Sequence, residues 1–163
     1  MIRQATLSDA KAIADIYNYY ITNTVITFEI EPISVEEMEQ RIATVLERYD
    51  WIVYENDQHD VVGFAYYSFY RPRAAYNNTV ESTIYLQPNE LGKGVGTALL
   101  IALLERCKQQ NYHAMIAGIA LPNERSVQLH EKHGFQKVGE FIEVGYKQER
   151  WINIGYWELL LHE

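Results

Sequence analysis

Glu81 is a lone carboxylate in Thr79-Val80-Glu81-Ser82-Thr83-Ile84-Tyr85-Leu86, a run otherwise made of strand-forming and apolar residues. Burial in such a strand disfavours the charged form and raises the pKa toward neutrality, which suits a group that must take a proton. The competing reading is a carboxylate on a solvent-facing strand surface. Directly downstream, the strand breaks into Leu91-Gly92-Lys93-Gly94-Val95-Gly96-Thr97 and restarts as a helix through Ala98-Leu99-Leu100-Ile101. Glycines at alternate positions let the backbone turn tightly and leave its N–H groups uncovered, and the helix dipole adds positive potential at the same place. Such a loop is suited to a phosphate or pyrophosphate; an ordinary glycine-rich turn is the plainer alternative. A P-loop needs Lys and then Ser or Thr after its last glycine, whereas Gly96 precedes Thr97-Ala98. A dinucleotide fingerprint starting at Gly94 needs a third glycine at Leu99. Both patterns fail.

A second segment, Asn123-Glu124-Arg125-Ser126-Val127-Gln128-Leu129-His130-Glu131-Lys132-His133-Gly134-Phe135, reads as a helix with Asn123 as N-cap and Gly134 as its left-handed end. His130 and His133 lie one turn apart, but no third ligand stands nearby, so no metal is expected. Arg71 and Arg73 flank a proline in a short loop before the Glu81 strand. A guanidinium fork suits a carboxylate or phosphinate, and a solvated surface pair is the competing reading.

The two segments together carry a resemblance. Leu91 to Gly96 is similar to Gln/Arg-x-x-Gly-x-Gly, the pyrophosphate loop of the GNAT acetyltransferases, with Leu91 where that family usually has Gln or Arg. Asn123 to Phe135 resembles the family's Asn-x-x-Ser-x-x-Leu-Tyr/His-x-x-x-Gly-Phe. Phe28-Glu29-Ile30-Glu31-Pro32, Ala75-Tyr76-Asn77-Asn78-Thr79-Val80-Glu81 and Gly155-Tyr156-Trp157 narrow the likeness to the phosphinothricin and methionine sulfoximine (L-amino acid) N-acetyltransferase branch, over nearly the whole chain. The resemblance implies acetyl coenzyme A at Tyr85, Leu86, Gln87, Gly92, Lys93, Gly94, Val95, Gly96, Thr97 and Ala98, with Asn123 and Ser126. It implies Glu81 as general base for transfer to the α-amine of a small amino acid or analogue. His130 stands where many relatives have Tyr, and catalysis and packing remain equal readings of it. Phe28, Arg71, Arg73, Tyr76 and Glu81 are expected around the substrate. Acetylation of another amine (a polyamine, peptide or aminoglycoside) and coenzyme binding without turnover are the alternatives.

The elements that must position these groups follow from pattern. Ile2 to Thr6 reads as a strand, Ser8 as the cap of a helix to about Tyr20, and Ser34 with Glu37 as a capping box opening a helix to about Tyr49. Strands follow at 51–54, 61–67 and 79–87, then a helix to about Asn111, a strand at 114–119, the Asn123 helix, and strands at 136–147 and 156–161. The order β-α-α-β-β-β-α-β-α-β-β predicts an α/β (α+β) fold of the GNAT type. Its central mixed, mostly antiparallel sheet is flanked by helices, with residues 1–163 forming a single domain.

Composition sets limits. The 163 residues are 48% hydrophobic, enough for a single-domain core, and the net charge of −8 argues against nucleic acid as a partner. A single cysteine, Cys107, excludes an internal disulfide and fits a reducing cytosol. The N-terminus lacks the apolar core of a signal peptide. The apolar run from Ala98 to Leu104 is far short of the roughly 20 residues that span a bilayer. A cytoplasmic protein without membrane contact is expected. The resemblance also implies a homodimer, for which Phe141, Tyr146, Trp151, Tyr156 and Trp157 offer a surface.

Overall fold

A computed structural model of the chain describes residues 1–162. The elements run β1 (Ile2–Gln4), α1 (Ala10–Asn23), α2 (Val35–Leu46), β2 (Trp51–Glu55), β3 (Val61–Phe69), β4 (Thr79–Leu86), α3 (Val95–Gln109), β5 (Ala114–Leu121), α4 (Glu124–Lys132), β6 (Gln136–Lys147) and β7 (Arg150–Leu160). Seven strands form one sheet in the order β1-β2-β3-β4-β5-β7-β6. Only β4 and β5 pair in parallel, joined by the crossover helix α3, and every other neighbour is antiparallel. The expected element order and GNAT-type sheet are the ones observed.

Alternation along the central strands explains the two layers. Trp51, Val53 and Phe64 point to the face covered by α1 and α2, where they meet Ile13, Ile16, Met38 and Ile42. Ile52, Ala65, Tyr67, Val80, Met115 and Trp157 point to the other face, against Leu99, Leu100 and Leu103 of α3. Both faces are covered, so β2 and β3 read as nearly continuous apolar runs. Cys107 is buried in the second layer, which pushes its thiol up to about 12.

Local chemistry sets the boundaries, with three departures from the sequence reading. Ser8 does not cap the first helix. Asp9 reaches back to accept the Thr6 N–H at 2.8 Å, making a single 3-10 turn over Leu7–Asp9 before α1 begins at Ala10. The same carboxylate takes Arg3 in a two-pronged pair at 2.8 and 2.9 Å, which ties β1 to the start of α1. Ser34 Oγ caps α2 by accepting the Glu37 N–H at 3.1 Å, but the reciprocal half of the box is not formed, because Glu37 turns to Arg41 at 2.7 Å. Finally, β7 starts at Arg150 rather than 156, continuing a hairpin whose turn residues Gln148 and Glu149 both have positive φ (52° and 58°). Two left-handed central residues match the twist of a two-residue hairpin without the usual Asn-Gly.

Of the five C-terminal aromatics, two do not face outward. Trp157 is buried, its indole N–H donating to Glu131 at 3.0 Å, and Tyr156 is half-buried beside Gly118. Phe141, Tyr146 and Trp151 are exposed. Among the described residues, no helix is long and apolar enough to cross a membrane, and no cluster of His, Cys, Asp or Glu has the makings of a metal site.

Candidate active site

The site opens where the one parallel pairing ends. β4 and β5 are in register only from Thr79↔Ala114 to Glu81↔Ile116, although β4 continues to Leu86 and β5 to Leu121. Past that point the strands diverge, and residues 82–86 and 117–120 line a cavity of about 670 Å³. Glu81 stands at the fork, with Oε1 3.6 Å from where a Cβ on Gly118 would sit and the Tyr156 ring nearer still at 3.2 Å. The missing side chain at 118 thus makes room for the ring, while the carboxylate stands at ordinary contact distance. Burial pushes the Glu81 carboxyl above the usual carboxylate range, opposed by Arg71, whose Nη1 lies 4.0 Å from Oε2. No hydrogen bond holds this carboxylate among the described residues, so it is free to accept one.

The glycine loop forms the far end of the same cavity. Gly92 (φ 79°) and Gly94 (φ 85°) adopt left-handed conformations, and Gly94 is the N-cap of α3 with no side chain capping it. A Cβ on Gly94 would meet nothing within 4 Å, so the turn is open at that point, next to the first α3 N–H groups, which have no partner within the helix. Gly96 is different. It lies within α3, and a Cβ there would make ordinary contacts of 3.5 and 3.6 Å with Leu86 and Leu129. Two glycines, rather than three, make the turn.

From the second segment, Asn123 Oδ1 caps α4 by accepting the Ser126 N–H at 3.3 Å. Asn123, Ser126 and His130 all line the cavity. His130 is buried, edge-on to Phe135, with Nδ1 2.7 Å from the Ser126 carbonyl. A carbonyl only accepts, so Nδ1 carries the proton and Nε2 keeps a lone pair. Burial holds the ring's pKa below the usual histidine range; the Ser126 carbonyl works the other way and the charge of His133 reinforces the lowering. At neutral pH His130 is therefore an uncharged proton acceptor, not a ready acid.

The other expected residues divide. Tyr85, Leu86, Gly92, Gly94, Gly96, Thr97 and Phe28 line the cavity. The Tyr85 ring packs against Tyr17 and Tyr20 of α1 and Phe64 of β3. Gln87 uses its N–H on the Val62 carbonyl (2.9 Å), Val95 is buried, Lys93 pairs with Glu90 at 3.5 Å, and none of these three, nor Ala98, lines the cavity. Arg71 stacks on Tyr70 and leans toward Glu81 from outside the cavity wall. Arg73 and Tyr76 lie exposed in the same β3–β4 connection, where the Arg73 carbonyl accepts the Tyr76 N–H at 2.9 Å.

Residues 2–154 match the family described as the Acetyltransferase (GNAT) domain. The chain belongs to the GNAT acetyltransferase family. It is 36% identical over 157 residues to a phosphinothricin N-acetyltransferase of Streptomyces viridochromogenes, covering 96% of this chain and 85% of that protein. It is 33% identical over 161 residues to an L-methionine sulfoximine/L-methionine sulfone acetyltransferase of Pseudomonas paraeruginosa, covering 98% and 94%. A GNAT superfamily phosphinothricin acetyltransferase from Sinorhizobium meliloti, solved in complex with AcCoA, superposes with a TM-score of 0.97 at 36% identity, covering all of this chain and 89% of that one. This GNAT protein is accordingly an acetyl coenzyme A-dependent acyltransferase.

Several lining residues of this GNAT site carry no sequence pattern of their own. Tyr20, Ile26 and Thr27 come from the end of α1 and the connection to α2, Ile154 from β7, and Arg125 from the first turn of α4. The α1–α2 connection is pinned by Tyr17, which donates to Glu29 and shares a 2.8 Å hydrogen bond with Thr27, and by Arg41, which grips Glu29 at 2.7 and 2.8 Å. The only available signal was the Phe28-Glu29 pair itself.

Proposed function

We propose that this chain transfers the acetyl group of acetyl coenzyme A to the α-amine of a small amino acid or amino acid analogue of the phosphinothricin or methionine sulfoximine kind. The observation that carries this reading is Glu81: a carboxylate raised by burial, without a hydrogen-bond partner, at the fork that opens into the glycine loop's cavity. The open turn at Gly94 and the start of α3 fit a pyrophosphate, and the cavity between loop and fork fits the arm of the coenzyme. When bound, acetyl coenzyme A supplies a thioester carbonyl for the amine to attack. Glu81 takes the proton that an ammonium must lose before it is a nucleophile, directly or through water. A pKa nearer neutrality makes it a better match for that task than an ordinary carboxylate. His130, neutral with Nε2 free, serves as a second proton acceptor on the α4 side.

Arg71 is the residue best placed to meet a substrate carboxylate or phosphinate, since it already stands over Glu81 and belongs to no other ion pair among the described residues. Phe28 walls the apolar part of the substrate. Among the described residues that line the cavity Glu81 is the one carboxylate, so a polycation finds no acidic cluster there, which favours an amino acid over a polyamine or aminoglycoside. A buried Cys107 is consistent with action in the reducing cytoplasm.

We also propose a two-fold dimer. β6 is an edge strand, and Val138, Phe141, Ile142, Val144, Tyr146 and Trp151 are each more than half exposed on the β6–β7 hairpin. Such an apolar edge is a pairing surface. Light scattering at micromolar concentration is expected to give twice 19.0 kDa; a monomer mass contradicts the dimer. The test of the activity is thiol release from acetyl coenzyme A with phosphinothricin, methionine sulfoximine, methionine sulfone, a polyamine and an aminoglycoside. Release is expected with the first three; release with the polycations alone contradicts the substrate class.

A further inference from the structure

We infer that Arg125 is the counter-charge for the coenzyme's pyrophosphate, doing from α4 what the glycine loop does not do for itself. The inference rests on the acetyl coenzyme A reading above. A pyrophosphate brings negative charge into a chain whose own net charge is −8. Backbone N–H groups and a helix terminus supply hydrogen bonds and only about half an elementary charge. The loop's position for a polar or basic side chain is taken by Leu91, which lines the cavity as an apolar group. Its one cation, Lys93, lies outside the cavity lining and is paired with Glu90 at 3.5 Å.

Arg125 fills the gap from a distance in sequence. Its Nη1 lies 3.3 Å from the point where a Cβ on Gly92 would stand, so the guanidinium rests against the loop backbone in the space the glycine leaves. It lines the same cavity as Gly92 and Gly94 and forms no salt bridge among the described residues. Two contacts set the place of the helix that carries it. The Asn123 cap sets where α4 begins, and Leu129 packs within 3.6 Å of the Cβ position of Gly96, laying α4 across the start of α3. Helix stability does not explain a cation at this position, because a positive charge in a first turn opposes the macrodipole. A planar fork of donors beside uncovered N–H groups is suited to phosphate oxygens.

The test uses Arg125→Ala in the full chain, with a thermal melt to verify folding. Calorimetry with acetyl coenzyme A is expected to show roughly tenfold weaker binding, the scale of one charge-assisted hydrogen bond. The same loss is expected with the 3′-dephospho derivative, and kcat/KM for S-acetylpantetheine as donor is expected to stay unchanged. Unaltered affinity for the coenzyme overturns the inference. A loss that disappears with the dephospho derivative overturns it too, by moving the contact to the 3′-phosphate. A loss that extends to S-acetylpantetheine reduces Arg125 to a packing role. Failure of the unaltered chain to bind acetyl coenzyme A would instead contradict the underlying cofactor reading, which keeps the two outcomes apart.

Discussion

Lys147 Nζ donates to the Thr27 carbonyl at 2.8 Å across 120 positions of sequence, in a contact that leaves the lysine only 5% exposed. The hairpin of β6 and β7 is thereby tied to the α1–α2 connection that walls one side of the cavity. Phe28 rests on the same hairpin, its ring so close over Gly145 that a Cβ there would fall 2.5 Å from Cζ. Burial pulls the Lys147 ammonium below its usual range, and the charge of Glu29 works the other way.

Lys147→Met keeps most of the stem and removes the donor. It leaves the Thr27 carbonyl without its partner, an expected cost of about 1–3 kcal/mol in urea unfolding. With Phe28 walling the substrate as proposed above, KM for the amine is expected to rise roughly tenfold, with KM for acetyl coenzyme A unchanged. A stability loss with an unchanged amine KM would show that the wall holds its place without the lysine.

Gly94 and Gly96 are expected to answer differently to substitution. Gly94→Val forces a β-branched residue to φ 85°, where it is strained and covers the loop's N–H groups. A folded chain with coenzyme affinity lost is the expected result. Gly96→Ala lands its methyl in ordinary contact with Leu86 and Leu129 and gains up to about 1 kcal/mol in helix propensity. Its melting point is expected to hold or rise. Equal damage from both would mean that both glycines make the turn.

His130 gives a pH signature with a definite sign. Its folded pKa lies below the ordinary 6.5, so the unfolded chain binds the proton more readily. The contribution of this group to stability is full above 6.5 and is lost as pH falls from there through the lower, folded value. Long-range nitrogen–proton spectra at pH 7 are expected to find the proton on Nδ1 and a bare Nε2. An imidazolium at pH 7 contradicts the lowering by burial, and a neutral ring with its proton on Nε2 contradicts the hydrogen bond to Ser126.

Much of this molecule is legible from local chemistry. The Gly92–Gly94 turn, the Asn123 cap and the position of Glu81 in an apolar strand are short-range features, written in consecutive letters. What escaped needed the third dimension. Arg125 meets Gly92 only because α4 crosses the start of α3. Lys147 meets Thr27 only because the hairpin folds back over the α1–α2 connection. The start of β7 was hidden because Gln148 and Glu149 turn the hairpin in a left-handed conformation that neither residue type advertises. Ser8 lost the helix start to Asp9, whose pairing with Arg3 is a contact between elements. Trp157 was read as surface because alternation alone does not say which face of an edge hairpin meets a core.

Glu81→Gln keeps the shape of the side chain at the fork and removes its capacity to take a proton. The raised carboxyl means that the folded chain holds this proton more tightly than the unfolded one, so its ionisation weakens the fold as pH rises through the folded value. Neutralising it is expected to leave the melting point at pH 7 unchanged or higher, and coenzyme affinity intact. The measurement is the pH dependence of amine-dependent thiol release by the unaltered and Glu81→Gln chains. A fall of roughly 100-fold or more in turnover, with loss of the acidic limb seen in the unaltered chain, is the predicted result. Near-normal turnover with the acidic limb retained would contradict it and move the base to another group.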